Sequence, residues 1–220
     1  MRKGVAGGLG KLPGALLMAA LWTASAGCHA EGIVEVLQRS QAQRLDHLSS
    51  AAAGEPSLRA VQVIEASFQT LLATLDLPPT VSLQVVRGAA LAETLQGRVV
   101  VVDDSLADLP EAERLFVLAH ELGHVALGHW ATLGQLYQQH VPGEVMRQQT
   151  ELVAGLLGKE ASELSHRHEF AADAYGLQAL QKLGLGRTEV LSLFMRLGVQ
   201  RDTPTHPSSR KRLAHLNQLR

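Results

Sequence analysis

The sequence predicts an α+β protein that is mainly helical. Two N-terminal segments carry apolar residues at helical spacing, two short segments are rich in β-branched residues, and most of the remainder has a helical pattern. With 46% hydrophobic and 19% charged residues, the 220-residue chain can form a substantial core. That length suits one domain, or one domain with a short appendage.

The first two helices are expected over residues 31–50 and 58–75, where apolar side chains recur close to the helical period. The small residues and proline of segment 51–56 separate them, and Pro78-Pro79 ends the second helix. We therefore treat residues 31–57 as an N-terminal helical segment that precedes the main domain.

Strands are expected over residues 81–86, which alternate in polarity, and over residues 98–102, which contain four consecutive valines. Acidic and small residues at 103–105 end the second strand. Pro110 is well placed in the first turn of the next helix, which is predicted to run to about His129.

The rest of the chain is expected to be helical with interruptions. Residues 130–166 have an irregular helical pattern broken at Pro142-Gly143, and further helices follow over about 167–183 and 188–198, before a final short helix. The apolar segment 152–158 is far too short to span a bilayer, so we expect it to pack in the core or to cover a groove.

Residues 1–28 have the pattern of a signal peptide. Basic residues precede a 12-residue apolar stretch at 15–26, which fits a secretory segment better than a membrane span. A small-x-small cleavage site occurs at Ala24-Ser25-Ala26. The mature protein is therefore expected to be exported, to the periplasm or to the surface of an envelope membrane.

The single cysteine, Cys28, follows three small residues in a pattern that resembles a bacterial lipoprotein box. Lipidation of Cys28 would attach the protein to a membrane; alternatively, Cys28 is an incidental thiol in a discarded signal peptide.

Residues 1–28 hold three of the 20 basic residues and none of the 21 acidic ones, so the rest of the chain has 17 basic and 21 acidic residues. The remaining chain has no basic field of the kind that binds nucleic acid.

The main functional pattern is H-E-x-x-H at residues 120–124. On a helix, His120 and His124 lie on one face, so both imidazoles can reach one metal ion. A hydrolytic zinc site has three protein ligands and a water, with a carboxylate that takes the water's proton. Glu121 is in position to supply that carboxylate, and a third ligand is required.

Several downstream side chains are candidates for the third ligand: His129, His140, His166, His168, Glu169 and His206. One known arrangement places a third histidine six residues after the second, but His129 comes five residues after His124. On a continuing helix it would lie about 140° further round. We expect His129 to form a hydrogen bond near the helix end, and His166 and His168 to line the cleft or lie on the surface.

A different arrangement takes a glutamate from a separate helix and an aspartate one turn later. Glu169 and Asp173 have that spacing, with two alanines between them that would let the helices approach closely. Glu169 would bind the metal, and Asp173 would accept the spare imidazole N–H of His120 or His124. Alternatively, Glu169 and Asp173 are part of an ordinary solvated helix face, but the upstream H-E-x-x-H favours the metal-binding interpretation.

Three motifs in order resemble the zinc peptidase family of the CAAX prenyl endopeptidase and HtpX, and within it the soluble periplasmic members. The motifs are His120-Glu121-Leu122-Gly123-His124-Val125, Glu169-x-x-Ala172-Asp173 and Thr205-His206-Pro207-x-x-x-x-Arg212-Leu213. The resemblance covers about residues 60–217. It implies a gluzincin fold over 58–220, in which a helical domain carries a small sheet whose edge can pair with an extended substrate.

The resemblance also implies residue roles and one Zn²⁺ per chain. It assigns His120, His124 and Glu169 to zinc, Glu121 to general-base catalysis, and His206 and Arg212 to positions close to the metal centre. His206 would regulate the site or stabilise the transition state, and Arg212 would be a further catalytic residue that stabilises the oxyanion. Alternatively, its loop is only a cap and turn before the last helix.

The expected function is zinc-dependent endopeptidase activity in the bacterial cell envelope, on misfolded or unassembled envelope proteins. The valine-rich strand 98–102 is expected to hold polypeptide substrates by edge pairing. One alternative is a latent or chaperone-like zinc-binding factor of the envelope. Another is a zinc-independent helical protein with a chance motif. The sequence makes no prediction of oligomeric state.

Overall fold

A computed structural model of the chain describes residues 31–49, 54–88 and 90–219. The predicted signal peptide, residues 1–28, therefore lies outside the described residues, and so does Cys28. Within the described ranges, no helix is both long enough and apolar enough to cross a bilayer.

The described residues form a mainly helical α+β fold, which confirms the predicted class. The helices are α1 (Ile33–Ser49), α2 (Leu58–Thr74), α3 (Glu111–Ala126), α4 (His129–His140), α5 (Arg147–Lys182), α6 (Arg187–Leu197) and α7 (Ser209–Gln218). The strands are β1 (Ser82–Val86), β2 (Ala92–Leu95) and β3 (Val99–Asp103), and a short 3₁₀ helix, Asp104–Asp108, follows β3.

The three strands form one sheet in the order β1-β3-β2, with β1 parallel and β2 antiparallel to β3. The valines of β3 are buried on both faces. Val100 and Val102 belong to the main core with α2 and α3, whereas Val99 and Val101 pack in a smaller cluster with Leu48 of α1. This double burial explains the run of four valines.

The prediction that the valine-rich strand offers an edge to substrate is wrong. β3 is the central strand, and both of its edges are hydrogen-bonded within the sheet. The edge near the functional residues belongs to β2, a four-residue strand that the sequence pattern did not predict.

The centre of the fold is the close contact between α3 and α5. A Cβ atom added at Gly123 would lie 3.2 Å from Cα of Ala172, and one at Gly176 would lie 3.0 Å from the Phe116 ring. Small residues on both helices therefore set a short separation between them. This separation brings the H-E-x-x-H face of α3 against the side chains of α5.

The motif helix ends earlier than the sequence predicted. α3 stops at Ala126, and Gly128 adopts a left-handed conformation with φ of 64° before α4 begins at His129. Glycine adopts this conformation without the strain that a β-carbon would introduce. His129 is consequently the first residue of a new helix, and the 140° offset expected for a continuous helix does not apply.

The predicted division at residue 166 is also wrong, although the break at Pro142-Gly143 is confirmed. α5 is one helix of 36 residues that runs through this position. Most of its buried residues lie from Ala161 onwards, whereas Leu152 and Leu156 are largely exposed. The apolar segment 152–158 therefore does not pack as a unit in the core, and Leu157 is its buried member.

Candidate metal centre

Three predicted ligands converge at the contact between α3 and α5. His120 and His124 project from consecutive turns of α3, and their Nε2 atoms are 3.2 Å apart. Oε2 of Glu169, on α5, is 3.5 Å from Nε2 of His120, and its Oε1 is 3.3 Å from Nε2 of His124. Among the described residues, these three side chains form the group whose donor atoms could hold a metal ion.

The distances fit a zinc ion. Ligand atoms at about 2.0–2.2 Å from zinc in a tetrahedral site are about 3.3–3.6 Å from one another, close to the separations observed here. In addition, Oε2 of Glu169 is buried and has no hydrogen-bond partner. A buried carboxylate oxygen is costly without compensation, and a bound cation would supply that compensation.

Behind His120 lies a buried acid–base pair. Nδ1 of His120 is 3.0 Å from Oδ1 of Asp173, which is fully buried. The guanidinium of Arg212, on α7, donates from Nε to Oδ2 of Asp173 at 2.8 Å and from Nη2 to Oδ1 at 2.5 Å. Of the two imidazoles that the sequence allowed for Asp173, the structure therefore selects His120.

Arg212 lies close to the ligands, but it does not line the cleft. Nη1 is 3.4 Å from Oε2 of Glu169, and the guanidinium carbon lies 5.1 Å from the centre of the Phe194 ring. The side chain is only 14% exposed. Its position is suited to neutralising and orienting the carboxylates of Glu169 and Asp173.

This side of the centre is highly charged in the metal-free protein. Burial and the charge of Arg212 oppose protonation of His120, but the hydrogen bond with Asp173 and the nearby carboxylate of Glu169 outweigh them and raise the pKa of His120 to about 10. Burial alone would raise the pKa of Asp173, but the hydrogen bonds from Arg212 and His120 hold it below its usual range. The pKa of Glu169 is lowered in the same way against the effect of burial, by His120, His124 and Arg212.

Behind His124 the partners are neutral. Nδ1 of His124 is 2.9 Å from Nδ1 of His129, whose ring stacks on His168 with centroids 4.0 Å apart and planes 8° from parallel. Burial, followed by the charge of His124, lowers the pKa of His129 to about 3 and that of His168 to about 4. Both rings are therefore uncharged at neutral pH. The sequence did not place His129 beside a ligand, although Gly128 was a signal that the helix ends there.

Glu121 is held at the cleft by a residue that the sequence did not indicate. The hydroxyl of Thr94, on β2, lies 2.7 Å from Oε2 of Glu121 and 3.0 Å from its backbone carbonyl oxygen. The hydroxyl can donate to either acceptor. Glu121 itself is not one of the clustered ligand side chains, so its carboxylate is free for other chemistry.

The cleft beside these residues has a volume of about 430 Å³. Its walls come from β2, α3, α4 and α5, with Gln41 and Arg44 of α1 on one side and the loop that carries His206 on another. Arg44 forms an ion pair with Glu93 of β2 at 2.9 Å, which ties α1 to the rim of the cleft.

His206 is a half-exposed side chain at the mouth of the site. Its Nε2 lies 3.7 Å from Oε1 of Glu169, and its Nδ1 lies 2.8 Å from the hydroxyl of Thr205. The loop is tied to α5 because Nε2 of His166 is 2.8 Å from the carbonyl oxygen of Thr203. The structure thus brings His206 to the ligands, as predicted for this loop.

The fold and the centre together define a metallopeptidase class. Two histidines one turn apart on α3 meet a glutamate from α5, and a separate carboxylate lies beside them in the same cleft. The model of peptidase family M48 matches residues 60–220, and the chain belongs to this family. Its members are metal-dependent peptidases, typically with zinc. No curated protein sequence matches the chain.

Proposed function

We propose that the protein is a zinc-dependent endopeptidase with Glu121 as its general base. The observation that carries this proposal is the position of Glu121. Its carboxylate lines the same cleft as His124 and Glu169, lies outside the cluster of ligand atoms and is oriented by Thr94. A carboxylate in this position has no metal-binding role, which leaves it available for proton transfer.

A zinc ion held by His120, His124 and Glu169 would lower the pKa of a water and polarise the scissile carbonyl group. Glu121 takes a proton from the water as the oxygen forms a bond to the carbonyl carbon. Glu121 then gives that proton to the leaving nitrogen as the carbon–nitrogen bond breaks. The imidazole of His206, whose Nε2 is 3.7 Å from Oε1 of Glu169, would stabilise the oxyanion.

The cleft supports a polypeptide substrate in extended conformation. Residues 92–95 of β2 line it, and none of the strands in the described part of the chain pairs with the outer edge of β2. Pairing with a strand edge recognises the backbone, so it favours unfolded segments over a specific sequence.

The N-terminal pattern supports a location in the bacterial envelope, with misfolded or unassembled envelope proteins as substrates. The mass of the mature N-terminus tests whether Cys28 is lipidated.

Replacement of Glu121 by glutamine tests the mechanism. Glu121→Gln keeps the shape of the side chain and all three ligands, so we expect stoichiometric zinc and a rate of unfolded-casein cleavage reduced about 10²–10⁴-fold. Glu151→Gln is a matched control, because Glu151 pairs with Arg147 on the exposed half of α5. Cleavage by Glu121→Gln at the rate of the control would disprove the role of Glu121.

A second candidate function is a latent or chaperone-like zinc-binding factor with little proteolysis. The observation that favours it is the 3.7 Å distance between His206 and Glu169, which would allow the imidazole to take the remaining coordination position. His206→Ala separates the candidates when casein cleavage and suppression of aggregation are both measured. Cleavage that occurs only in the variant indicates latency, and cleavage in neither protein indicates a binding function. Cleavage by the wild type that decreases in the variant supports the endopeptidase.

A further inference from the structure

We propose that His129 is a positioning residue that fixes the tautomer and orientation of His124, as Asp173 does for His120. This inference rests on the metal site of the proposed function. His129 lies outside the ligand set, and its role depends on which nitrogen of each ring carries a hydrogen.

The ligand geometry determines the hydrogen on His124. Both ligand imidazoles direct Nε2 towards the carboxylate of Glu169, at 3.5 Å from His120 and 3.3 Å from His124. A neutral imidazole that coordinates through Nε2 carries its hydrogen on Nδ1. Nδ1 of His124 is therefore a donor, and the atom 2.9 Å away, Nδ1 of His129, must accept.

The surroundings of His129 hold it as that acceptor. His129 is 7% exposed, and its ring meets His124 edge-on, with planes at 79° and centroids 4.9 Å apart. The hydroxyl of Thr132 donates to the carbonyl oxygen of His129 at 3.0 Å, so its oxygen can accept from Nε2 of His168 at the same distance. His168 is thereby fixed in the stack against His129. The hydrogens on Nδ1 of His124, on the Thr132 hydroxyl and on Nε2 of His168 then each have an acceptor.

The backbone explains why a histidine five residues after a ligand can do this. The left-handed turn at Gly128 ends α3 and starts α4, so His129 faces back towards His124 across the turn. A side chain at position 128 would strain this turn. The arrangement therefore depends on the glycine and the histidine together.

Loss of a partner that orients a ligating histidine commonly weakens metal binding about 10–100-fold. The primary variant is His129→Phe, which keeps an aromatic ring against His168 and removes the accepting nitrogen. His129→Asn is the conservative variant, because its carboxamide oxygen can accept in place of Nδ1. The matched control is His140→Phe, since His140 lies on the same helix and pairs with Glu160 away from the cleft.

The experiment measures the zinc dissociation constant by competition with a chromophoric chelator, and the visible spectrum of the cobalt-substituted protein. We expect the dissociation constant of His129→Phe to increase about 10–100-fold, with an altered cobalt spectrum. His129→Asn should remain within a few-fold of the wild type, and His140→Phe should match it. If His129→Phe does not fold, His129→Leu provides the same loss of acceptor.

Equal zinc affinity in wild type and His129→Phe would overturn the proposal. Equal weakening in His129→Phe and His129→Asn would also overturn it, because that result indicates packing alone. Zinc affinity is measured without substrate, so the positioning role of His129 and the proposed peptidase function can be disproved independently. A wild type that binds zinc but cleaves nothing contradicts the proposed peptidase function alone.

Discussion

The two imidazoles of the metal centre are supported in opposite ways. His120 is backed by Asp173 and Arg212, a charged pair buried between α5 and α7. His124 is backed by His129 and His168, two neutral stacked rings on the wall of the cleft. Each group of partners contacts the Nδ1 atom of one ligand imidazole. The partners of His120 are charged, and the partners of His124 are neutral.

The difference follows from where each side lies. A charged pair such as Asp173 and Arg212 is tolerated in the interior because each group satisfies the other and Arg212 also faces Glu169. On the cleft wall, a neutral acceptor orients its ligand without adding charge where a substrate enters. Orientation of a ligand therefore does not require a carboxylate, and the two sides should respond differently to mutation and to pH.

The largest expected effect is on the charged side. Asp173→Ala leaves the guanidinium of Arg212 buried without its main partner, and removal of one member of a buried ion pair typically costs about 3–5 kcal/mol. Loss of the neutral acceptor in His129→Phe should cost less, about 1–3 kcal/mol. Denaturant unfolding of both variants without metal measures the contrast.

A double variant serves as the control for that contrast. Asp173→Leu with Arg212→Met removes both charges together, so it should recover much of the stability that Asp173→Ala loses. If Asp173→Ala and His129→Phe are equally destabilised, the two sides are energetically alike and the comparison fails.

A smaller effect is expected in the pH dependence of the metal-free protein. The folded-state pKa of His120 is raised from 6.5 to about 10, so its stabilising contribution is complete below about 6.5 and is lost as the pH rises towards 10. The folded-state pKa of His129 is lowered to about 3, so its contribution is present above 6.5 and is lost as the pH falls towards 3. The two sides therefore weaken the fold at opposite ends of the pH range.

Two measurements check this expectation. Thermal unfolding of the metal-free protein should give a lower Tm at pH 9 than at pH 7, and His129→Phe should reduce the decrease in Tm between pH 6.5 and pH 5.

Zinc must displace the proton of His120, so calorimetry in buffers of different ionisation enthalpy should detect release of about one proton per zinc near pH 7. Zinc binding without proton release would contradict a protonated His120.

Much of the charged side of the centre could be predicted from the sequence, because its residues recur at the four-residue spacing of one helix face. His120 and His124 are four residues apart, and so are Glu169 and Asp173, so each pair shares a helix face wherever the helix lies. The H-E-x-x-H pattern then indicates which helices must meet. The choice of His120 as the partner of Asp173, and the pairing of Asp173 with Arg212, required the structure.

The neutral side and the catalytic support could not be predicted in this way. His129 reaches His124 through the turn at Gly128, and spacing along a continuous helix gives the wrong direction for it. Thr94 lies on β2, whose four residues are too few for a clear alternating pattern. The continuous α5 was missed because its exposed apolar half obscures the amphipathic period.

The length of chain between the ligands has a consequence for the metal-free protein. Glu169 follows His124 by about 45 residues, a span that contains α4 and the exposed half of α5. A zinc ion that joined these two positions would be a cross-link that closes this span into a loop, in the same topological sense as a disulfide. Release of the metal would then open a loop as well as a coordination site, and α4 with the first half of α5 would be the part of the chain that gains freedom.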